Sequence, residues 1–188
     1  MRAAIVLAGG AARRLGGVDK ALVDVGGTTM LDRVLAAAGP NVDELVVVGP
    51  ERPTLAAGVR FTVEDLPGGG PVPAVAAGLA VVPEADAVVV LAVDLPLLGP
   101  EHVAALVAEL TEADAVAAAD HRGLPNPLLA AYRGDPLRAA ARDLGPGEPA
   151  ARLLPESTLV VDLGESATLN VNQPEELERA RTRLRPGP

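Results

Sequence analysis

The chain has no cysteine and no tryptophan, and its aromatic complement is one phenylalanine, Phe61, and one tyrosine, Tyr132. Without cysteine there is no thiolate nucleophile, no zinc ribbon, no iron–sulfur ligation and no disulfide to staple a small core. Without a set of aromatics, the stacking platforms that hold single-stranded nucleic acid are missing. Positive charge is scarce: a formal net charge of -9 leaves no broad basic face for nucleic acid or an anionic membrane, so neither is an expected partner. The apolar run from Ile5 to Ala8 before Gly9 is too short for a signal peptide or a membrane span, and a cytoplasmic location is expected. Lysine is nearly absent too. Of sixteen basic residues fifteen are arginine, and the one lysine is Lys20. Where arginine serves every other cationic position, a single retained lysine points to a site that needs a compact ammonium, unless chance left it there.

What is present is a chain of 188 residues, long enough for one core of ordinary size and read as a single domain over 1–184 with a disordered tail at 185–188. Short apolar runs bounded by turn residues predict strands at Ala3–Ala8, Leu45–Val48, Val59–Val63, Ala87–Val93 and Ala115–Ala119, with further mixed strands at Leu128–Tyr132 and Thr158–Asp162. Helical patterns lie between them at Met30–Ala38, Val72–Val82, Glu101–Leu110 and Pro136–Leu144, with Pro100 placed to start the third. This alternation predicts an α/β fold, a three-layer sandwich around a mainly parallel Rossmann-like sheet. Ligands of such sheets bind at the carboxyl ends of the strands, and those ends carry Gly9-Gly10, Asp65 and Asp94.

The segment from Leu7 to Lys20 carries the most chemistry. No G-x-G-x-x-G follows the first strand, and Lys20 precedes Ala21 where a P-loop needs Ser or Thr, so neither common nucleotide loop is present. Small residues at Ala8, Gly9, Gly10, Ala11 and Ala12 let backbone amides approach a phosphate, while Arg13, Arg14 and Lys20 supply charge. The same glycines would also suit a plain strand-to-helix turn. Asp94 emerges after a buried strand, where it can ligate a hard cation or simply cap a turn. Asp65 before Gly68-Gly69-Gly70 is ordinary loop chemistry as well as a ligand candidate. Asn172, Pro174 and Glu175 read as a helix start with an Asn cap, leaving Asn170 to present its carboxamide. His102 and His121 form no constellation and are expected on a helix surface and in a solvated loop.

In order along the chain, Leu7…Gly10…Arg14…Gly16…Lys20, Asp65…Gly70-Pro71, Val93-Asp94-Leu95-Pro96, Asn126-Pro127-Leu128…Tyr132 and Asn170-Val171-Asn172-Gln173-Pro174 resemble the motifs of the MobA-like NTP transferases. Ala74 stands where that family has a second glycine, and Val93 where it has cysteine. The resemblance implies a fold of the nucleotide-diphospho-sugar transferase type and transfer of an NMP unit from an NTP to a phosphorylated small molecule with release of pyrophosphate. It implies Mg²⁺ on Asp94, catalytic roles for Lys20, Arg14 and Asp94, and nucleotide contacts at Leu7, Ala8, Gly9, Gly10, Lys20, Asp65, Gly70 and Asp94. Asn170 and Asn172 would meet the metal or the acceptor. The Gly9-Gly10 opening and the later Gly-Gly-Val-Asp-Lys run favour GTP and molybdopterin as the pair, with a cofactor-receiving protein as a further partner. Open beside this stand CTP with molybdopterin, a sugar phosphate, polyol phosphate or phospholactate acceptor, and a nucleotide-binding module without catalysis.

Overall fold

The computed structural model describes residues 1–9, 17, 19–65, 68–111 and 113–185. Its strands are β1 Arg2–Leu7, β2 Glu44–Val48, β3 Val59–Thr62, β4 Ala87–Ala92, β5 Ala115–Ala119, β6 Pro125–Arg133 and β7 Thr158–Val161. Its helices are α1 Met30–Ala38, α2 Pro71–Val81, α3 Pro100–Ala108, α4 Gly134–Asp143, α5 Gly164–Ala167 and α6 Pro174–Leu184. The strands form one sheet in the order β3-β2-β1-β4-β6-β5-β7. Pairing is parallel throughout except for β6, which runs antiparallel to both β4 and β5. The sheet is therefore the mainly parallel one expected, and of the two runs expected to be mixed only β6 is reversed.

The near-continuous apolar strands bury both faces, as parallel strands between helices do. Side chains alternate, so Ala4 and Val6 of β1 join the core under α1, α3 and α6, while Ala3 and Ile5 join the core under α2 and α4. At α2 the layers meet closely: a Cβ on Gly78 would stand 2.5 Å from the Ile5 Cγ2. Thr29 starts α1 by accepting from the Asp32 amide at 3.1 Å and donating to its carboxylate at 2.7 Å. Asp32 is the one buried charged residue among those described, and it reaches out of the helix to accept from the Thr54 hydroxyl at 2.6 Å and the Leu55 amide at 2.7 Å. Burial pushes its carboxyl up, but the bonds from Thr54, Leu55 and Thr29 outweigh that and hold it below the usual range. They also pin the loop after β2 to α1.

Because β1 to β4 are parallel, their carboxyl ends open on one edge of the sheet. Reversed β6 brings its amino end, with Leu128, to the same edge. No helix among the described residues is long and apolar enough to cross a membrane.

Candidate active site

At that edge β1 hands the chain to Gly9. The Ala8 amide still donates to the Val48 carbonyl at 2.9 Å, and the Val93 amide donates to the Leu7 carbonyl at 3.1 Å. Asp94 thus leaves β4 beside the exit of β1. Its own carbonyl accepts from the Val171 amide at 2.9 Å, which docks the Asn170–Asn172 segment against the strand end. Lys20 opens a single 3₁₀ turn, Lys20–Leu22, capped by Asp19 through a 3.1 Å bond from the Ala21 amide.

Three distant pieces of sequence then meet at one atom. The Lys20 Nζ donates to the Asp94 Oδ2 at 2.8 Å and to the Asn172 Oδ1 at 2.6 Å. An ammonium has three donors, so one remains for a ligand. The side chains of Lys20 and Asp94 are only 15% and 16% exposed, which strengthens their pairing relative to a surface bridge. The other carboxylate oxygen, Asp94 Oδ1, is shielded from solvent and accepts no hydrogen bond among the described residues. A buried carboxylate oxygen without a hydrogen-bond partner is costly, and a hard cation is a group that satisfies one. Among the described residues no group of three or more His, Asp or Glu side chains could hold a metal alone. A divalent cation here would have to complete its shell with phosphate oxygens and water, as Mg²⁺ readily does.

Lys20 and Asp94 lie in the wall of a cavity of about 800 Å³, large enough for a nucleotide. The rest of the wall includes Leu7 of β1 and Gly9 just beyond it, Val48 at the end of β2 with Gly49 and Pro50 after it, Val63 and Glu64 after β3, and Gly70, Pro71 and Ala74 at the start of α2. Gly70 precedes α2 at φ +93°, ψ -171°, a conformation open essentially to glycine alone. The α2 amino end, where the helix dipole is positive, therefore faces the cavity.

The expected residues fare unequally. Lys20, Asp94, Leu7, Gly9 and Gly70 line the cavity and Asn172 binds Lys20, whereas Ala8 packs its side chain into the core and has its amide and carbonyl engaged by Val48 and Arg52. Asp65 is exposed and does not line the cavity; its neighbour Glu64 does, accepting from the Gly68 amide at 2.8 Å. Asn170 is exposed and away from the cavity wall. Gly10, Arg13 and Arg14 lie outside the described residues. The helix cap is corrected: Gln173, not Asn172, is the N-cap of α6, and Glu176 accepts from the amides of both at 2.6 and 2.9 Å. With the cap made one residue later, the Asn172 side chain is left for Lys20. His102 also caps rather than lying idle on a surface, since its Nδ1 accepts from the Gly99 amide at 2.9 Å. Two residues had no sequence signal, Glu64 in the wall and Arg52, which gathers Asp19, Pro50 and Ala8 behind it.

Comparison with known proteins follows the same lines. The profile of the family described as "MobA-like NTP transferase domain" matches residues 4–158. A protein of Natronomonas pharaonis named "Probable molybdenum cofactor guanylyltransferase" is 32% identical over an alignment of 200 positions that covers 97% of this chain and 98% of that one. The molybdenum cofactor guanylyltransferase of Cereibacter sphaeroides is 33% identical over 187 positions, 96% of each chain. Among solved structures, molybdopterin-guanine dinucleotide biosynthesis protein A from Archaeoglobus fulgidus superposes with a TM-score of 0.70 at 22% identity, covering 97% of this chain and 98% of that one, a likeness of fold. A profile spanning most of the strands that build the cavity, and relatives aligned from end to end, lead to one assignment: the chain belongs to the MobA-like NTP transferase family and is a nucleotidyltransferase.

Proposed function

We propose that this nucleotidyltransferase moves GMP from GTP to molybdopterin, releases pyrophosphate, and uses Mg²⁺ held at Asp94. The observation that carries the reading is the Lys20–Asp94–Asn172 contact at the strand ends, where the Lys20 ammonium and the Asp94 carboxylate, one oxygen of which has no partner among the described residues, line one nucleotide-sized cavity. The choice of GTP and molybdopterin is supported by the relatives named for guanylyl transfer and by the Gly9-Gly10 opening. Bound at Asp94, Mg²⁺ supplies neutralising charge and Lewis acidity to the triphosphate.

The remaining work falls to the chain's own groups. An oxygen of the acceptor phosphate attacks the α-phosphorus, the bond from that phosphorus to the bridging oxygen of the β-phosphate breaks, and the electron pair leaves with pyrophosphate. The attacking oxygen is already an anion, so no side chain has to remove a proton, and the site needs no histidine or serine nucleophile. Lys20 donates its free N–H to the charge that grows on the α-phosphate and leaving group. Arg14, in the glycine-rich segment, helps to neutralise that charge, while Asn172 fixes the direction of the ammonium. Gly9 and Gly70 let the backbone lie against the nucleotide without a Cβ between.

A competition assay with equal GTP and CTP, Mg²⁺ and molybdopterin tests this, reading pyrophosphate and the mass of the product. The guanylyl product is expected, and Asp94→Asn should lose magnesium-dependent transfer far more than GTP binding, because the carboxylate acts mainly on the transition state. Preference for CTP overturns the choice of base; turnover only with a sugar, polyol or lactyl phosphate overturns the acceptor; GTP binding without pyrophosphate release overturns catalysis.

A further inference from the structure

We propose that Arg52 is a positioning residue: a three-way clamp that ties the end of β1, the end of β2 and the Lys20 turn together and thereby holds the Lys20 ammonium at Asp94. The proposal rests on the reading of Lys20 as the cation that meets the triphosphate. Arg52 lies in the loop after β2, and its side chain is only 8% exposed. Its Nε donates to Asp19 Oδ2 at 2.5 Å, its Nη1 to the Pro50 carbonyl at 2.9 Å and its Nη2 to the Ala8 carbonyl at 3.2 Å. One planar group thus reaches the residue before Gly9, its own loop, and the carboxylate whose second oxygen caps the Lys20 turn. Lysine could not replace it, since an ammonium has no fixed fork to span three directions.

The surroundings show that this geometry is provided for. Gly49 lies directly beneath the guanidinium: a Cβ there would stand 3.0 Å from Arg52 Nη1 and 3.1 Å from the carbonyl carbon and oxygen of Ala8. The loop that carries Arg52 is anchored two and three residues on, where Thr54 and Leu55 donate to buried Asp32. The restraint therefore runs from α1 through the loop to Arg52, from Arg52 to Asp19, and from Asp19 to Lys20. Small errors in placing a charged group at a reacting centre are expensive in rate, so a residue that touches no substrate can still govern turnover.

Lys20 is the only lysine in the chain, which gives its position a direct readout. At fixed pH, an amine-acylating reagent can mark only Lys20 and the Met1 α-amine, and peptide mass mapping separates the two, with Met1 as internal reference. In Arg52→Met, and in Asp19→Asn, which keeps an oxygen for the Ala21 cap but loses the charge, Lys20 should be acylated about fivefold faster or more relative to Met1. In the same variants kcat for nucleotidyl transfer should fall about tenfold or more while KM for the nucleotide moves less than about twofold, and the double variant should be no slower than the slower single one. A merely structural role would lower thermal stability without these changes. Should Arg52→Met fail to fold, Asp19→Asn decides alone. Acylation of Lys20 at the wild-type ratio in Asp19→Asn overturns the clamp, and so does a kcat within twofold of wild type. If the wild-type protein transfers no nucleotide to any acceptor, the functional reading fails, and the acylation ratio still decides the clamp.

Discussion

A single ammonium fills a place here that the chain's many guanidinium groups are the wrong shape to fill. Lys20 fits between Asp94 Oδ2 and Asn172 Oδ1, at 2.8 and 2.6 Å, in a wall that leaves it 15% exposed. A guanidinium is planar, wider, and carries its charge over three nitrogens, so placing one there would displace either the carboxylate or the carboxamide. Lys20→Arg should therefore be almost as damaging as Lys20→Ala, each lowering kcat by about a hundred- to thousandfold, the usual effect of removing one preorganised donor. Steady-state rates of the two variants at saturating nucleotide check it, and near-wild-type turnover of Lys20→Arg would show that the lone lysine is an accident of composition. The residues around it were unevenly legible in the sequence. Lys20 and Asp94 could be found because each sits in a motif of small or apolar neighbours. Arg52 could not, because it is one arginine among fifteen and its partners lie 33 and 44 residues away.

Among the elements, α2 and β1 show how close packing positions the site. α2 starts at the cavity with Gly70-Pro71 and crosses the sheet so tightly that Gly78 sits against Ile5. Gly78→Ala would improve the intrinsic helix preference by about 1 kcal/mol. The new methyl would also stand 2.5 Å from Ile5 Cγ2 and 2.9 Å from its Cδ1, so the fully buried Ile5 side chain would have to shift. Overpacking of that kind costs about 1 to 3 kcal/mol, so the net effect expected in urea unfolding is a loss of stability, and a gain would show that the layers can separate. Isolated elements of this sort were legible to within two residues at most ends, and α1 and β5 were found at Met30–Ala38 and Ala115–Ala119 as expected. The length of β6, Pro125–Arg133 where Leu128–Tyr132 was expected, was not. Its apolar stretch looks like any buried strand, and its prolines at Pro125 and Pro127 read as breakers. They are accommodated because β4 pairs with β6 only from Leu129 onward, while β5 shifts register after Ala117 to meet Asn126 and Pro125. The reversal expected for this run fits the five residues between β5 and β6, since a connection that short joins antiparallel strands and cannot make a crossover.

For the whole molecule, the scarcity of aromatics makes one residue a reporter of global unfolding. Tyr132, in β6, is fully buried between the sheet and the α2/α4 layer and is the only tyrosine in a chain without tryptophan. Its hydroxyl donates to the Pro127 carbonyl at 2.8 Å, and burial raises its pKa well above the ordinary 10.0. Below about pH 10 the phenol is protonated in both folded and unfolded chains, and the full stability is present. Above it the unfolded chain gives up the proton and the native state keeps it, so stability falls as pH rises, by up to about 1.4 kcal/mol per pH unit for this group until the folded pKa is passed. The Met1 ammonium adds a separate and earlier loss: its bond to Asp86 at 2.6 Å raises it above the usual 8.0, and that contribution goes as pH rises past its raised value. Tyrosinate absorbance, which reads Tyr132 alone, should therefore stay flat through pH 10 in the folded protein and then rise together with loss of helical circular dichroism. Tyr132→Phe should flatten the stability profile above pH 10 and leave the earlier Met1 limb in place. A smooth single-proton titration of the folded chain near pH 10, with the circular dichroism unchanged, would mean that water reaches the phenol and that the strand interior is open where the sheet is drawn closed.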